Sequence, residues 1–305
     1  MPRPGRRGAG GPAFRQAPAP TLGWVSPSPY TDLDRPPLNE RALNRALVRP
    51  GGVWRRIEVV DETGSTNADL AEAARGGAEE GLVLVAEAQT AGRGRLDRAW
   101  TAPPRSGLAF SVLLRPSVPV ARLGWLPLLA GVAVVSALRG FAEVEGVSRG
   151  GMADAALKWP NDVLIHGRKL AGILAERVGD AVVLGIGLNV SLRAGELPVP
   201  TATSLTLEDA PADRDPVLRA ILRELAHRYV EFCGDWTEGE LRGAYREVCA
   251  TLGRQVRVEL PGAVAGAPDG VLTGEAVDVD ANGCLVVRAA DGDHALSAGD
   301  VVHVR

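Results

Sequence analysis

The sequence predicts an α+β architecture, a mixed β-sheet packed with helices and followed by a small all-β unit at the C-terminus. Three observations carry this. Apolar runs of strand length are interleaved irregularly with helical periods, rather than alternating as regular βαβ units. One long apolar stretch, Leu123 to Leu138, has the length of a buried helix. After Leu252 the pattern changes to short alternating segments (VRVEL, GEAVDVD, GCLVVRA, DVVHVR) separated by glycine-rich turns.

Taken in order, residues 1–37 are dense in Pro, Gly and Arg, with no acid before Asp32. Such a segment cannot bury enough apolar surface to offset the entropy of ordering, so a disordered extension is expected. No helix-turn-helix can be read in the first 50 residues. Leu38 to Val48 has helical spacing, with Leu43 and Leu47 on one face. A strand over Ile57–Val60 and the turn-rich ETGSTN lead into a helix from about Ala68 to Arg75, with Asn67 or Thr66 suited to its N-cap. Gly81–Ala88 and Gly107–Leu114 read as strands, and Leu123–Arg139 as the core helix. That apolar stretch is interrupted by Gly124, Pro127 and Gly131 and is too short for a transmembrane span. Ala156–Trp159, Val163–Ile165, Lys169–Glu176 and Ala181–Val190 suit paired strands, and Pro216–Cys233 and Glu238–Cys249 suit helices. The expected units are therefore 1–37, 38–250 and 251–305.

Composition narrows the function classes. A chain of 305 residues with 46% hydrophobic content can bury a sizeable core. Its net charge of −3 argues against nucleic-acid binding by bulk electrostatics. Cys233, Cys249 and Cys284 are odd in number and widely separated, which suggests a reducing compartment without disulfides or a zinc knuckle. His166, His227, His294 and His303 show no metal-ligand spacing. The N-terminus lacks the apolar core of a secretory signal, and a cytoplasmic protein without membrane contact is expected.

The chemistry concentrates in five segments. Gln89–Trp100 (QTAGRGRLDRAW) threads Arg93, Arg95 and Arg98 through Gly92 and Gly94, directly after an apolar strand. Glycines let a ligand approach the main chain, and guanidinium forks suit carboxylate and phosphate, so the loop is suited to hold anions. Gly64-Ser65-Thr66-Asn67 offers hydroxyls, an amide and the free N–H groups of a helix start, although alone it reads as a plain helix cap. Lys158-Trp159-Pro160-Asn161-Asp162 gathers four chemistries in five residues, with Trp159 and Pro160 read as packing. RKLAGIL carries Lys169 into a strand three residues before Gly172. GIGLNV places Gly185, Gly187 and Asn189 in another strand.

The joint order GSTN, QTAGRGR, KWPND, RKLAGIL, GIGLNV resembles the biotin protein ligase family over Glu58 to Val190, and the β-rich tail resembles the small C-terminal domain of those enzymes. The resemblance implies a class II synthetase-like catalytic domain and an SH3-like C-terminal β-barrel. It implies ATP and biotin as ligands, with Mg²⁺ arriving on ATP rather than in a dedicated site. Biotin would be activated to biotinyl-5′-AMP and passed to a lysine of the biotin carboxyl carrier domain of an acyl-CoA carboxylase. Ser65, Thr66, Asn67, Gln89, Gly92, Arg93, Gly94, Arg95, Lys169, Gly172 and Gly187 are then expected at biotin. Lys169 and Arg95 are the catalytic pair. Arg98, Trp100, Lys158, Asn161, Asp162 and Asn189 fall on the nucleotide side, with Trp100 stacking on adenine. The loop departs from the family's GRGR-then-Arg-Gly-Arg pattern at Leu96 and Asp97, where an altered hold on the adenylate is expected. Lipoate or octanoate transfer and a ligase that also represses transcription on DNA are the alternatives. The first is disfavoured by GRGR with KWPND, the second by the missing helix-turn-helix. Oligomeric state stays open.

Overall fold

A computed structural model describes residues 34–304 except 97, 144–149, 235–237 and 261–268. The disordered extension expected over residues 1–37 therefore lies, up to residue 33, outside the described residues. Its last residues do not behave as an extension. Arg35 is buried in an ion pair with Glu196, and the Pro36 carbonyl accepts from Arg214 at 2.6 Å. The main body thus begins slightly before the boundary that composition suggests.

A seven-stranded sheet organises the main body. Its strands are β1 (Arg56–Val60), β2 (Leu82–Ala86), β3 (Gly107–Leu114), β4 (Ala156–Lys158), β5 (Asp162–Ile165), β6 (Arg168–Val178) and β7 (Ala181–Asn189). They lie in the order β1-β2-β3-β7-β6-β5-β4. Only β1 and β2 run parallel, joined through α2 (Thr66–Arg75). The other neighbours pair antiparallel.

Alternation along the strands sorts side chains between two cores. Leu108, Phe110, Val112 and Leu114 of β3, with Val182, Leu184, Ile186 and Leu188 of β7, join the main core. That core also takes α1 (Glu40–Leu47), α3 (Trp125–Ala142), α4 (Arg214–Cys233) and α5 (Glu238–Val248). The intervening Leu113 and Val183 join a small second core under α2, with Leu70, Ala71 and Ala74. Apolar on nearly all sides, α3 with the turn before it is long and apolar enough to cross a bilayer. It is instead the buried centre of the molecule.

The tail forms a separate five-stranded antiparallel sheet in the order β11-β10-β9-β8-β12. These strands are β8 (Gln255–Glu259), β9 (Val271–Val279), β10 (Leu285–Ala289), β11 (Gly292–Leu296) and β12 (Asp300–His303). Among the described residues β11 and β12 remain edges, so the barrel implied by resemblance is present as an unclosed sheet. The sheet docks on the body through two buried indoles: Trp125 Nε1 donates to the Ala281 carbonyl at 2.9 Å, and Trp159 Nε1 to that of Gly283 at 3.1 Å. Trp159 is thus packing, as the sequence suggested. All three cysteines are free.

Candidate active site

The sheet face under α2 provides the floor of a cavity of about 550 Å³. Register puts Gly187 opposite both Ala109 and Gly172, and Gly185 opposite both Ser111 and Leu174. Side-chain alternation therefore lines up Gly172 and Gly187 as a bare patch on this face, with Gly185 one step along.

Above the floor stands the start of α2. Ser65 is extended and its side chain accepts from Ala68 N, so Ser65 is the N-cap rather than Asn67 or Thr66. The reason is positional: Thr66 and Asn67 already have helical backbone, which frees their side chains for the site. Gln89 Oε1 accepts from Thr66 N and Oγ1 at 2.9 and 3.1 Å. Thr66 Oγ1 lies 2.7 Å from Ser111 Oγ, which donates to Asn67 Oδ1 at 2.6 Å. Asn67 Nδ2 in turn donates to Glu176 Oε2 at 2.7 Å. This chain of partnered groups, buried at Thr66, Asn67 and Ser111, fixes both donors and acceptors at one end of the cavity.

The arginine loop folds over the other end as a short hairpin. Gly94 N donates to the Arg98 carbonyl at 2.6 Å and Trp100 N to that of Gly92 at 2.8 Å. Gly92 is required by close approach, since a Cβ there would lie 2.4 Å from the Trp100 carbonyl oxygen. Leu96, at the turn, is exposed and adopts a left-handed backbone with φ of 53°. Asp97 lies outside the described residues. The hairpin lays the Trp100 indole over the glycine floor: a Cβ on Gly187 would fall 2.3 Å from its Cε2, and one on Gly172 3.2 Å from its Cζ3. Trp100 therefore sits directly over Gly172 and Gly187.

Four cations expected at the site, Lys169, Arg93, Arg95 and Arg98, each meet an acid or amide of the same chain. Lys169, at the start of β6, places Nζ 2.6 Å from Asp162 Oδ1 and 6.0 Å from the Trp100 ring centre. Its backbone is clamped by Thr201 and Thr203, at 2.8 Å each. Arg93 pairs with Glu176 at 3.3 Å, Arg95 donates to Asn161 Oδ1 at 3.4 Å, and Arg98 pairs with Asp300. Burial pulls the Arg95 guanidinium down from its usual range, against the raising influence of Asp162 and Asp300. Lys158 pairs in register with Asp162 across the β4–β5 turn, and Asn161 Nδ2 donates to the Ile173 carbonyl at 3.0 Å. Asn189 is buried and donates to the Thr203 carbonyl at 2.9 Å.

Every residue expected at the site lines this cavity except Gly92, which shapes the hairpin from behind. Sequence reasoning missed four others, of which Gly185 and Asp300 line the cavity and Ser111 and Glu176 hold residues that do. Ser111 had a signal, a lone hydroxyl inside the apolar strand GLAFSVLL. Gly185 stood in GIGLNV without a role, and Glu176 lay at the end of an expected strand. Asp300 gave no signal, because its partner Arg98 is 202 positions away.

A glycine-floored sheet face, with amides and hydroxyls at one end and a glycine-arginine loop and a lysine at the other, defines a class: a site suited to holding anionic ligands on a mixed sheet packed with helices. Residues 58–192 match the model of the biotin/lipoate A/B protein ligase family, and residues 251–304 that of the biotin protein ligase C-terminal domain. The chain belongs to this family. Among relatives it is 45% identical over 280 residues to the biotin–[acetyl-CoA-carboxylase] ligase of Mycobacterium tuberculosis, covering 90% of this chain and 100% of that one. Among solved structures, it resembles the biotin protein ligase from Aquifex aeolicus in complex with biotin and ATP. The TM-score is 0.67 at 29% identity, over 83% of this chain and 100% of that one. The biotin protein ligase from Leishmania major in complex with biotinyl-5-AMP aligns with a TM-score of 0.54 at 27% identity, over 80% and 98% of the two chains.

Proposed function

We propose that the chain is a cytoplasmic ATP-dependent biotin ligase acting in two steps. Biotin's carboxylate oxygen attacks the α-phosphorus of ATP, the bond to the β-phosphate breaks, and pyrophosphate leaves with biotinyl-5′-AMP formed. The neutral ε-amine of a carrier lysine then attacks the acyl carbon and AMP leaves. The acceptor is the biotin carboxyl carrier domain of an acyl-CoA carboxylase.

The observation that carries this reading is the position of Lys169. Its ammonium stands at the edge of the glycine floor, with the Thr66–Asn67–Gln89 network lining one part of the cavity and Arg95 another. A carboxylate and a triphosphate repel each other, and holding them in reacting geometry can be worth roughly 7–11 kcal/mol. A lysine at their junction offsets the repulsion and stabilises charge growing on the phosphorus oxygens. The Ser65–Asn67 helix start and Gln89 offer donors and acceptors suited to biotin's ureido group, and the glycines admit its ring and tail. Arg93 and Arg95 cover the acid–phosphate junction, with Arg98, Lys158, Asn161 and Asp162 towards the nucleotide. Mg²⁺ takes oxygen ligands and would enter on the triphosphate, whose charge it neutralises. The Asp162 carboxylate is an oxygen donor within the same cavity.

The test is an incubation with biotin, Mg·ATP and a carrier domain, scored by the mass shift on the carrier lysine. Omitting the carrier should leave biotinyl-AMP on the protein. Lys169→Ala should lower adenylate formation by roughly 10²–10³-fold, the scale of losing one preorganised electrostatic contact, with the melting temperature little changed. Pyrophosphate release near the wild-type rate in that variant would remove Lys169 from the chemistry.

A further inference from the structure

We propose that Asp300, on β12 of the C-terminal sheet, is a positioning residue that holds the arginine loop across the cavity through its ion pair with Arg98. The inference rests on the ligase reading above and adds a role for the C-terminal unit within it. The loop is stitched down at three points along its length. Two belong to the catalytic sheet, Arg93 to Glu176 and Arg95 to Asn161. The third, at Arg98 on the far side of the turn, is made by the C-terminal sheet alone. Gly299, Asp300, Val301 and Val302 line the same cavity as Lys169, so β12 forms one of its walls.

Asp300 is a firm anchor because its sheet is fixed to the body. The Trp125 and Trp159 indoles reach the turn at 281–283, and Arg242 pairs with Asp278 of β9. Its carboxylate also acts at a distance on the half-buried Arg95, deeper in the site. The base of the loop is held by Trp100 on the glycine floor, whereas the turn beyond Gly94 carries exposed side chains. The Leu96 side chain is exposed, and Arg98 is 64% exposed on its side chain. A pair so exposed contributes little to global stability. Its effect belongs to the small equilibrium between a loop lying over the cavity and one lifted from it, on which shielding of a hydrolysable mixed anhydride depends.

The experiment compares full-length wild type, Asp300→Asn and Asp300→Glu. One readout needs no ligand: the rate of tryptic cleavage after Arg93, Arg95 and Arg98, followed by mass spectrometry. The other is the rate at which preformed biotinyl-AMP leaves the protein. Asp300→Asn should raise both by about three- to tenfold, where tenfold corresponds to about 1.4 kcal/mol, at an unchanged melting temperature. Asp300→Glu, which keeps the charge, should stay near wild type. Asn and Glu variants that are equally impaired, or an Asn variant cleaved at the wild-type rate, would overturn the proposal. So would slower adenylate release in Asp300→Asn, since Asp300 would then be competing with phosphate for Arg98 rather than positioning it. A wild type that forms no adenylate would sink the ligase reading, and the cleavage rates would still decide whether Asp300 holds the loop.

Discussion

Gly185 shows how a single missing methyl group fixes one end of the site. A Cβ there would lie 2.0 Å from Asn67 Oδ1, the atom that accepts from Ser111. Gly185→Ala must therefore push Asn67 out of its network, and overpacking of this kind costs about 1–3 kcal/mol. The expected result is a lower melting temperature and biotin binding weakened more than ATP binding, both measurable by calorimetry. Gly64→Ala is the control, because a Cβ at Gly64 meets nothing within 4 Å. At this scale the sequence was legible as to which residues gather at the cavity, as at Arg95, Lys169 and the GSTN segment. It misled at the cap. Ser65, Thr66 and Asn67 are all good N-cap types, and only the backbone angles decide which one spends its side chain on the helix.

Between elements, the decisive contact is the buried ion pair of Glu87 and Arg214, with side chains 3% and 5% exposed. Glu87 follows β2 and accepts from Leu38 N at 2.6 Å. Arg214 opens α4 and donates to the carbonyls of Pro36 and, at 3.4 Å, Gly107. The pair thus locks the entering chain, the β2–β3 edge and α4 together. Arg214→Met leaves a buried, unpaired carboxylate and should cost about 3–5 kcal/mol in urea unfolding. Combining it with Glu87→Gln should recover much of that loss, and a double variant as unstable as the single would exclude this cause. Element existence was legible from periodicity: every expected helix and strand over residues 38–304 is present, within a few residues at the ends. The exception is β11, absent from the reading because GDHAL is a polar edge strand with only Leu296 buried and no alternation to detect.

At the scale of the whole molecule, His303 reports on the contact between the two sheets. Its Nε2 lies 3.1 Å from Thr251 Oγ1, with Lys158 and Arg254 nearby. Burial first, then those two cations, pull its pKa down to about 4 from an ordinary 6.5. Between these values the unfolded chain binds a proton that the folded chain refuses. The contribution of His303 is therefore complete above about pH 6.5 and is lost as pH falls towards 4. The fall in melting temperature between pH 7 and pH 5 should be smaller in His303→Gln than in wild type. Equal falls would show that His303 does not govern the acid response.

The sequence by itself determined the alternating strands, the apolar core helix and the motif order that marks the ligase family. These rest on local periodicity and residue chemistry, which need no knowledge of distant neighbours. Tertiary structure decided what depends on register and docking. Pairing β6 with β7 sets Gly172 beside Gly187 to make the floor, and burying Trp125 and Trp159 against the 281–283 turn brings Asp300 to Arg98. No local pattern encodes a contact between residues 202 positions apart, because it exists only where the two sheets pack together.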